Sequence, residues 1–599
     1  MKINAKNIKA DSANIRKAIR FVYECDKRLC VARLILIGLQ SVLPLASLYM
    51  LKLLVDCVTF SAGAEFTDQG ISQIWLYAGL FCSIFLFTRF SNIIVQLFDD
   101  ILVQKLINFI SNLIHKKSVE LDLSYYDNSE YHDTFHRAQQ EANHRPVQIL
   151  NNLTSLITNS ISIAGIVLLL ASLSWIVILV LIFAGLPSLI TKLAKSKKLY
   201  EWRKKNTTLF RKTNYLSMLM THRAYSKELR IFSLGNYFQK KFNHIRTGLV
   251  KEIFRISKKL AKYDLLSSVF EVAALLLVIV ILSHKAFAGA ITIGSFVMYF
   301  EAFRKGQSFL QTMVASLSGI YNNKLFLNNL FEFLELKPHI QSPAKPVPFP
   351  MQLKEGIKFE NVSFSYPGSK KLVLDNISFQ AKPGKITIIK GNNGAGKTTV
   401  IKLLCRLYDC VSGAIYIDGI NIKHFEIQEL RKNISVIFQD FAQYDFTVRQ
   451  NITLGNIEKT DNPDQIKQAA EKSCAQEVIE NLPDRYDTLL GKYFKGGQEL
   501  SMGQWQRMAL GRTLYKDSSL LILDEPTSWI DVKAEKLFYE KLDSLKHNRA
   551  LLIINHNAID LSGKLIHDYC VDFSSNNSCS KQFKEGYHGK SRWNQRKKG

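Results

Sequence analysis

Cysteine is scarce and unpaired in this sequence: nine cysteines are spread over 599 residues, none in a C-x-x-C pair. That spacing excludes a zinc ribbon, a dithiol redox centre and a disulfide framework, and Cys405 and Cys410, five apart, read as ordinary reduced thiols. No cleavable signal peptide is expected either, because about thirty charged and polar residues precede the first long apolar stretch. That stretch is then itself the membrane-targeting signal. No internal repeat is found. Acidic residues are the minority, 51 Asp and Glu against 78 Lys and Arg, for a net charge of +27. About +20 of this lies in the first 350 residues, mostly beside apolar runs. Retention of positive loops in the cytoplasm explains that placement better than nucleic acid does, so no nucleic-acid partner is expected. The basic tail, with Lys581, Lys584, Lys590, Arg592, Arg596, Lys597 and Lys598, reads as a solvated segment, with anionic lipid as the next candidate contact.

The chain does have long apolar runs, and they are confined to its first half. Six are long enough to span a bilayer: Val31 to Phe60, Ile74 to Phe98, Ile149 to Leu173, Ser174 to Leu193, Leu265 to Ser283 and Ile291 to Tyr321. The third and fourth are joined so tightly around Leu173 to Trp175 that they form a hairpin. Lys and Arg crowd the start of the chain and the connection after Leu193, whereas Ser61 to Ser72 has none. Both termini are therefore expected in the cytoplasm, with the protein multi-pass in the cytoplasmic (inner) membrane. In the sixth span Glu301, Arg304 and Lys305 share one helical face at i, i+3 and i+4. Charges roughly 15 to 20 Å below the outer surface are costly, and either line a substrate path or form a structural ion pair.

After the proline-rich stretch S-P-A-K-P-V-P-F-P, Ser342 to Pro350, the apolar residues come as short runs between glycines and acidic clusters. K-I-T-I-I-K, Lys385 to Lys390, is a short buried strand running into G-N-N-G-A-G-K-T, Gly391 to Thr398, with a helix from Thr399. Strand, glycine loop and helix in that order make a phosphate-cradling loop. Its backbone N–H groups face phosphates, Lys397 reaches the outer ones, and Thr398 offers a hydroxyl to Mg²⁺. The strand Leu520 to Leu523 ends in Asp524 and Glu525, so one carboxylate can serve the metal while the next faces the attacking water. Between these motifs stands L-S-M-G-Q, Leu500 to Gln504, in which Met502 occupies a place where glycine is expected. H-D-T-F-H, His132 to His136, lacks the glutamate base of a metallohydrolase, and no metal is expected there.

Taken together these motifs resemble the ATP-binding cassette exporters over nearly the whole chain. The resemblance implies an α-helical membrane domain of six helices at residues 1–340, a linker at 341–355, an α/β P-loop NTPase cassette at 356–580 and a basic tail at 581–599. By the same resemblance, Tyr366 in F-S-Y-P-G stacks on adenine, Gln439 in V-I-F-Q-D senses Mg²⁺ and the attacking water, and Ser501, Gly503 and Gln504 belong to the signature that contacts ATP. Asp531 follows the metal-binding strand, Asp524 associates with Mg²⁺, Glu525 is the general base and His556 in I-I-N-H-N is the switch histidine. The expected ATP contacts are thus Tyr366, Gly391, Asn392, Asn393, Gly394, Ala395, Gly396, Lys397, Thr398, Thr399, Ser501, Gly503, Gln504 and Asp531; Thr398, Gln439 and Asp524 serve Mg²⁺, and Glu525, His556 and Gln439 serve catalysis.

One P-loop and one signature per chain imply a half-transporter that sandwiches ATP with a second copy of itself. The phrases L-D-L-S-Y-Y-D-N-S-E-Y and F-Q-D-F-A-Q-Y-D-F-T-V-R-Q-N-I resemble bacterial exporters of lantibiotics and other modified peptides. Expected partners are a second copy, membrane lipid, a peptide substrate and peptide-modifying enzymes. About thirty residues before the first span are too few for the cysteine-peptidase domain of some peptide exporters, so leader cleavage by this chain is not expected. Alternatives are export of a lipid or hydrophobic drug, or an ATP-gated channel or regulator on the same scaffold. Two departures bear on activity: Met502, for which a working but slower ATPase is expected, and D-Y-C-V-D-F-S-S-N-N-S-C-S, which lacks the glycine turn that closes such cassettes.

Overall fold

The computed structural model describes residues 16–17, 19–63, 68–127, 135, 145–459, 461–546, 549–555 and 569–573. His132, His136, His556 and the basic tail lie outside the described residues. The chain divides into two units, one of Met1–Val119 with Asp133–Leu336, the other of Glu120–His132 with Lys337–Gly599.

The first unit is helical. It contains α1 (Lys27–Gly63) and α2 (Asp68–Glu120). The short α3 (Leu123–Tyr126) belongs to the second unit. The first unit continues with α4 (Arg145–Ala171), α5 (Trp175–Lys205), α6 (Thr207–Thr221), α7 (Ser226–Ile231), α8 (Gly235–Phe287) and α9 (Ile293–Glu335). The break between α4 and α5 is set at Ser174, whose hydroxyl caps α5 by accepting from the Ile176 N–H at 3.3 Å. Lys285 of α8 secures the same turn by donating to the Leu173 carbonyl at 2.8 Å. With 53 residues each, α2 and α8 run about 80 Å, far more than a bilayer core requires. The core joins Leu48 of α1, Ile166 and Leu170 of α4, Val177 and Leu181 of α5, Val278 and Leu282 of α8, and Met298, Ala302 and Phe303 of α9.

Among the described residues, five helices are long and apolar enough to cross a membrane: α1, α2, α4, α5 and α8. The sixth expected span lies in α9, which has the length, with 43 residues, but is interrupted by Glu301, Arg304 and Lys305. Its inward face is nonetheless as buried as any, with Ala302 and Phe303 fully covered.

The second unit is built on two sheets. One contains β1 (Ile357–Phe364), β2 (Leu374–Ala381), β4 (Ser412–Ile417) and β5 (Ile420–Asn421), antiparallel in the order β2-β1-β4-β5. The other is parallel, in the order β6-β7-β8-β3-β9, from β3 (Ile386–Lys390), β6 (Ile434–Ile437), β7 (Leu520–Asp524), β8 (Ala550–Ile554) and β9 (Tyr569–Asp572). Strands β7 and β8 are buried along their whole length, and their sequences L-L-I-L-D and A-L-L-I-I show no alternation, as expected of parallel strands covered on both faces. Strand β9 pairs with β3 from Thr387 opposite Tyr569, and the stretch after Phe573, where the glycine turn was expected, lies outside the described residues.

Around the sheets lie α10 (Lys397–Leu404), α11 (Ile427–Lys432), α12 (Val448–Thr453), α13 (Pro463–Lys472), α14 (Gln476–Glu480), α15 (Met502–Tyr515) and α16 (Val532–Leu545). Helix α3 packs here through Leu123, and the Asp122 carboxylate accepts from the backbone N–H of His339 at 2.5 Å and Ile340 at 3.2 Å. Tyr408 donates its hydroxyl to Asp127, and burial pushes that phenol above its usual range. The stretch after α2 is thereby part of the cassette body.

Phe538 of α16 is wholly buried against β7 and β8. Phe538→Ala removes a full aromatic side chain from that layer and is expected to cost about 3–5 kcal/mol. Amide hydrogen exchange of β7 and β8 in the full chain measures it, as a matching loss of protection.

Candidate nucleotide site

The glycine loop leaves β3 and closes on the first turn of α10. Gly396 caps that helix at φ +89°, a left-handed conformation, and a Cβ there would lie 2.6 Å from the Leu374 side chain, so both backbone and space require glycine. Asn392, Asn393 and Gly394 form the exposed tip, whereas Lys397 and Thr399 are buried. The Lys397 ammonium donates back to the carbonyls of Gly391 at 2.7 Å and Asn392 at 3.1 Å, and so arches over the loop it belongs to.

Thr398 donates its hydroxyl to Asp524 Oδ2 at 3.0 Å, joining the loop to the end of β7. Asp524 is 2 % exposed. Burial first, with Glu525 as a lesser contributor, pushes its carboxyl up to about 6, although Thr398 and Lys397 pull the other way. Glu525 follows at φ +48°, a left-handed conformation uncommon outside glycine and asparagine. Its N–H is held by the Ile554 carbonyl at 3.0 Å, and its side chain accepts from the Gln439 amide at 2.8 Å. Two successive carboxylates thus point to different partners, one to the loop and one to Gln439.

Hard oxygen donors meet where the Thr398 hydroxyl reaches the Asp524 carboxylate, and Gln439, whose amide nitrogen reaches the adjoining Glu525, carries a further oxygen of the same kind. Mg²⁺ takes few protein ligands of this kind and completes its shell with phosphate and water. A buried carboxylate held near 6 is short of compensating positive charge, so the donor set fits that ion. Among the described residues no group of three or more His, Cys, Asp or Glu gathers to hold a metal.

Tyr366 is half-buried beside α10, with its hydroxyl 3.1 Å from Thr399 Oγ1 and its ring 5.4 Å from that of Tyr408. The Lys402 ammonium sits 5.3 Å from the ring centre of Tyr366. The aromatic is therefore placed next to the P-loop helix but within a cation–aromatic cluster that the sequence did not announce.

Ser501 and Gln504 form a reciprocal capping box on α15: the Ser501 hydroxyl accepts from the Gln504 N–H at 3.3 Å and Gln504 Oε1 accepts from the Ser501 N–H at 2.9 Å. Met502 is the first residue of the helix, absent from the residues with positive φ, 45 % exposed, and its sulfur takes the Gln443 amide at 3.3 Å. The turn thus makes no demand for glycine at 502. Asp531 caps α16 through the Ala534 N–H at 3.0 Å and pairs with Arg507 at 2.7 Å. The Ala534 bond, ahead of Arg507, holds its carboxyl below the usual range.

One residue that motif reading passed over is Gln506, 1 % exposed. Its amide donates to the Glu525 carbonyl at 2.9 Å and to Ser528 Oγ at 3.3 Å, and its oxygen accepts from the Trp529 N–H at 3.0 Å. A second glutamine two places after Gln504, on the buried face of a helix, was the available signal. Arg512, six residues further along, ties Asn451 and the Ala442 carbonyl to the same helix.

Comparison with known proteins decides the family. A model of ABC transporters matches residues 374–528. Over 553 residues the chain is 30 % identical to the subtilin transport ATP-binding protein of Bacillus subtilis, covering 91 % of this chain and 87 % of that one. The chain belongs to the ABC transporters. The nisin transport ATP-binding protein of Lactococcus lactis subsp. lactis is 27 % identical over 92 % of this transporter and 90 % of its own length. The ATP-dependent lipid A-core flippase of Haemophilus influenzae is 31 % identical, over 54 % of this chain and 55 % of its own. A bacterial Atm1-family ABC exporter solved with ATP bound has the same fold, at a TM-score of 0.73 and 21 % identity over 91 % of this chain and 93 % of that one. This ABC transporter is therefore a membrane-embedded exporter whose cassette binds and hydrolyses ATP.

Asp524 gives a pH signature. Its folded value of about 6 exceeds the ordinary 3.8 of the unfolded chain, so its contribution to stability is complete below about pH 4 and is lost as pH rises through 6. Asp524→Asn is expected to stabilise the nucleotide-free protein by about 3 kcal/mol at neutral pH and not at all near pH 4, read from thermal unfolding of the full-length protein at both pH values. Gln506→Ala strands the Trp529 N–H and the Glu525 carbonyl, at a cost of about 1–3 kcal/mol. ATP turnover by the full-length protein should fall at least about tenfold, while the affinity for ATP, made elsewhere, stays within about twofold.

Proposed function

We propose that two copies of this chain export a ribosomally made, lantibiotic-like peptide across the cytoplasmic membrane by alternating access, with both termini in the cytoplasm. The observation that carries this reading is coverage: the subtilin and nisin transport proteins align over about nine-tenths of the chain, membrane half included, whereas the lipid A-core flippase aligns over 54 % and a glucan exporter of Bartonella henselae over 41 %. Cassette likeness alone is shared by exporters of every cargo. Likeness that continues through the membrane helices favours a shared cargo class.

In this reading Lys397 leaves the carbonyls of Gly391 and Asn392 for the phosphates of ATP, and the loop N–H groups complete the cradle. Thr398, Asp524 and Gln439 would hold Mg²⁺, which when bound neutralises phosphate charge. Glu525 accepts a proton from the attacking water, with Gln439 fixing its carboxylate. Tyr366 takes the adenine on the ring face opposite Lys402. Ser501, Gly503 and Gln504 of one copy close over the ATP held by the other, with Asp531 positioned by Arg507 behind them. Binding of two ATP closes the cassettes and turns the helices outward; hydrolysis resets them.

Glu525→Gln keeps the Gln439 contact but removes the proton acceptor. It is expected to bind ATP and to lower phosphate release at least about a hundredfold, with uptake of peptide into inverted vesicles lost in parallel. Unchanged ATP hydrolysis in this variant would sink the assignment of the base. Uptake of lipid but not of peptide by the wild type would move the cargo to the second reading, lipid export, which the flippase resemblance favours.

A further inference from the structure

The membrane unit holds a cavity of about 340 Å³ between α1, α2 and α9. Pro44, Ser47, Leu48 and Leu51 line it from α1, Phe81, Phe85 and Thr88 from α2, and Glu301 and Lys305 from α9. Packing fixes which side of α9 it sees. Ala302 and Phe303 are fully buried in the helical core, and a Cβ on Gly306 would already stand 3.2 Å from Ile166 and Leu181. Residues 302, 303 and 306 therefore hold the helix to the bundle, and the charges at 301 and 305 are turned to the cavity.

These charges are not equivalent. Glu301 is engaged by Arg304, whose Nε and NH2 donate to the same oxygen at 3.1 and 2.9 Å. That pair cancels itself. Lys305 has only the Ser47 hydroxyl as hydrogen-bond partner among the described residues, at 3.3 Å. Arg89, one turn from the lining residue Phe85, lies 5.3 Å from that ring and adds positive charge on the same side. An ammonium at this depth whose hydrogen-bond partner is a neutral hydroxyl is expensive for the fold alone, while a largely apolar and aromatic cavity lined by Lys305 and by a Glu301 already held by Arg304 has the makeup of a ligand site.

We propose that this cavity is the subsite for the C-terminal end of the exported peptide, with its carboxylate on Lys305 and its last apolar side chain against Leu48, Leu51, Phe81 and Phe85. The volume, near the low end for small-ligand sites, admits a chain end and not a folded peptide. Ser47 Oγ, which donates to the Pro44 carbonyl at 2.7 Å and accepts from Lys305, holds the ammonium at the cavity wall. The assignment rests on the peptide-export reading, and its test separates the two.

The probes are two N-acetylated apolar heptapeptides of identical sequence, one a free acid and one a C-terminal amide, and an anionic lysophospholipid. Binding of each to the full-length protein in nanodiscs is measured by fluorescence anisotropy. The expected result is a free acid bound about tenfold more tightly than the amide by the wild type, a preference abolished in Lys305→Gln and retained in Lys305→Arg. The Arg variant preserves charge and bulk, so it reports even where Lys305→Gln fails to fold. Acid and amide bound equally well would overturn the subsite and leave peptide export standing. Lysophospholipid bound through Lys305 with neither peptide bound would overturn both.

Discussion

The nucleotide site depends on how β7 ends. Leu520 to Leu523 are wholly buried between helical layers, and the parallel pairing of β7 with β8, Asp524 opposite Ile554, fixes where the strand stops. The chain then places two carboxylates in succession, the first in an extended strand and the second at φ +48°. Extended geometry would have sent them to opposite faces of the sheet. The left-handed residue breaks that alternation and lets Asp524 meet Thr398 while Glu525 meets Gln439. Backbone strain of order 1–3 kcal/mol is opposed by the Ile554 and Gln506 hydrogen bonds to the Glu525 backbone.

Those bonds make α15 more than the carrier of a signature. Gln506 reaches the turn after β7, Arg507 reaches Asp531 at the head of α16, and Arg512 reaches Asn451 and the segment leading from Gln439. Asn451, fully buried, in turn donates to the carbonyls of Tyr444, Phe446 and Thr447. One helix therefore gathers the turn that carries Glu525, the loop that carries Asp531 and the loop that follows Gln439. A displacement of α15 cannot leave Glu525 unmoved, because the partners of the buried Gln506 amide, the Glu525 carbonyl, Ser528 and the Trp529 N–H, all lie in the turn after β7. This is a physical route by which contact at Ser501 reaches the end of β7.

Much of this was legible in sequence where the signal is local. A buried strand, a glycine loop and a helix occupy consecutive positions, so Gly391 to Thr399 could be read without knowing the fold. Glu525 was expected to be the base from its place after Asp524, but its left-handed backbone was not legible, since the bonds that hold it come from Ile554 and Gln506, neither of them near in sequence. Tyr366 was read as an adenine platform, yet its place among Tyr408 and Lys402 is decided by the packing of α10 on β1. Six spans were expected from apolar runs; α9 falls short of the others because Glu301, Arg304 and Lys305 interrupt it, and its fit to the core rests on the opposite face through Ala302 and Phe303. The membership of α3 in the cassette body follows from Tyr408, Asp122 and the 339–340 backbone, a set that only the folded chain assembles.

The signature itself shows which of its two central positions must be glycine. At 503 a Cβ would lie 2.2 Å from the Trp529 carbonyl oxygen, and Trp529 cannot retreat because its N–H is held by Gln506. Even alanine would force α15 away from the loop that follows Glu525. At 502 no such limit exists: the residue has no positive φ, opens the helix at N1 and carries its side chain toward Gln443. The Ser501 hydroxyl and the Gln504 side chain close the capping box without reference to what stands between them. The slower hydrolysis expected from Met502 thus has no origin in the local backbone. A larger residue is tolerated at 502 for the same reason that it is excluded at 503, namely that one position faces out from the helix start and the other faces the turn that follows β7.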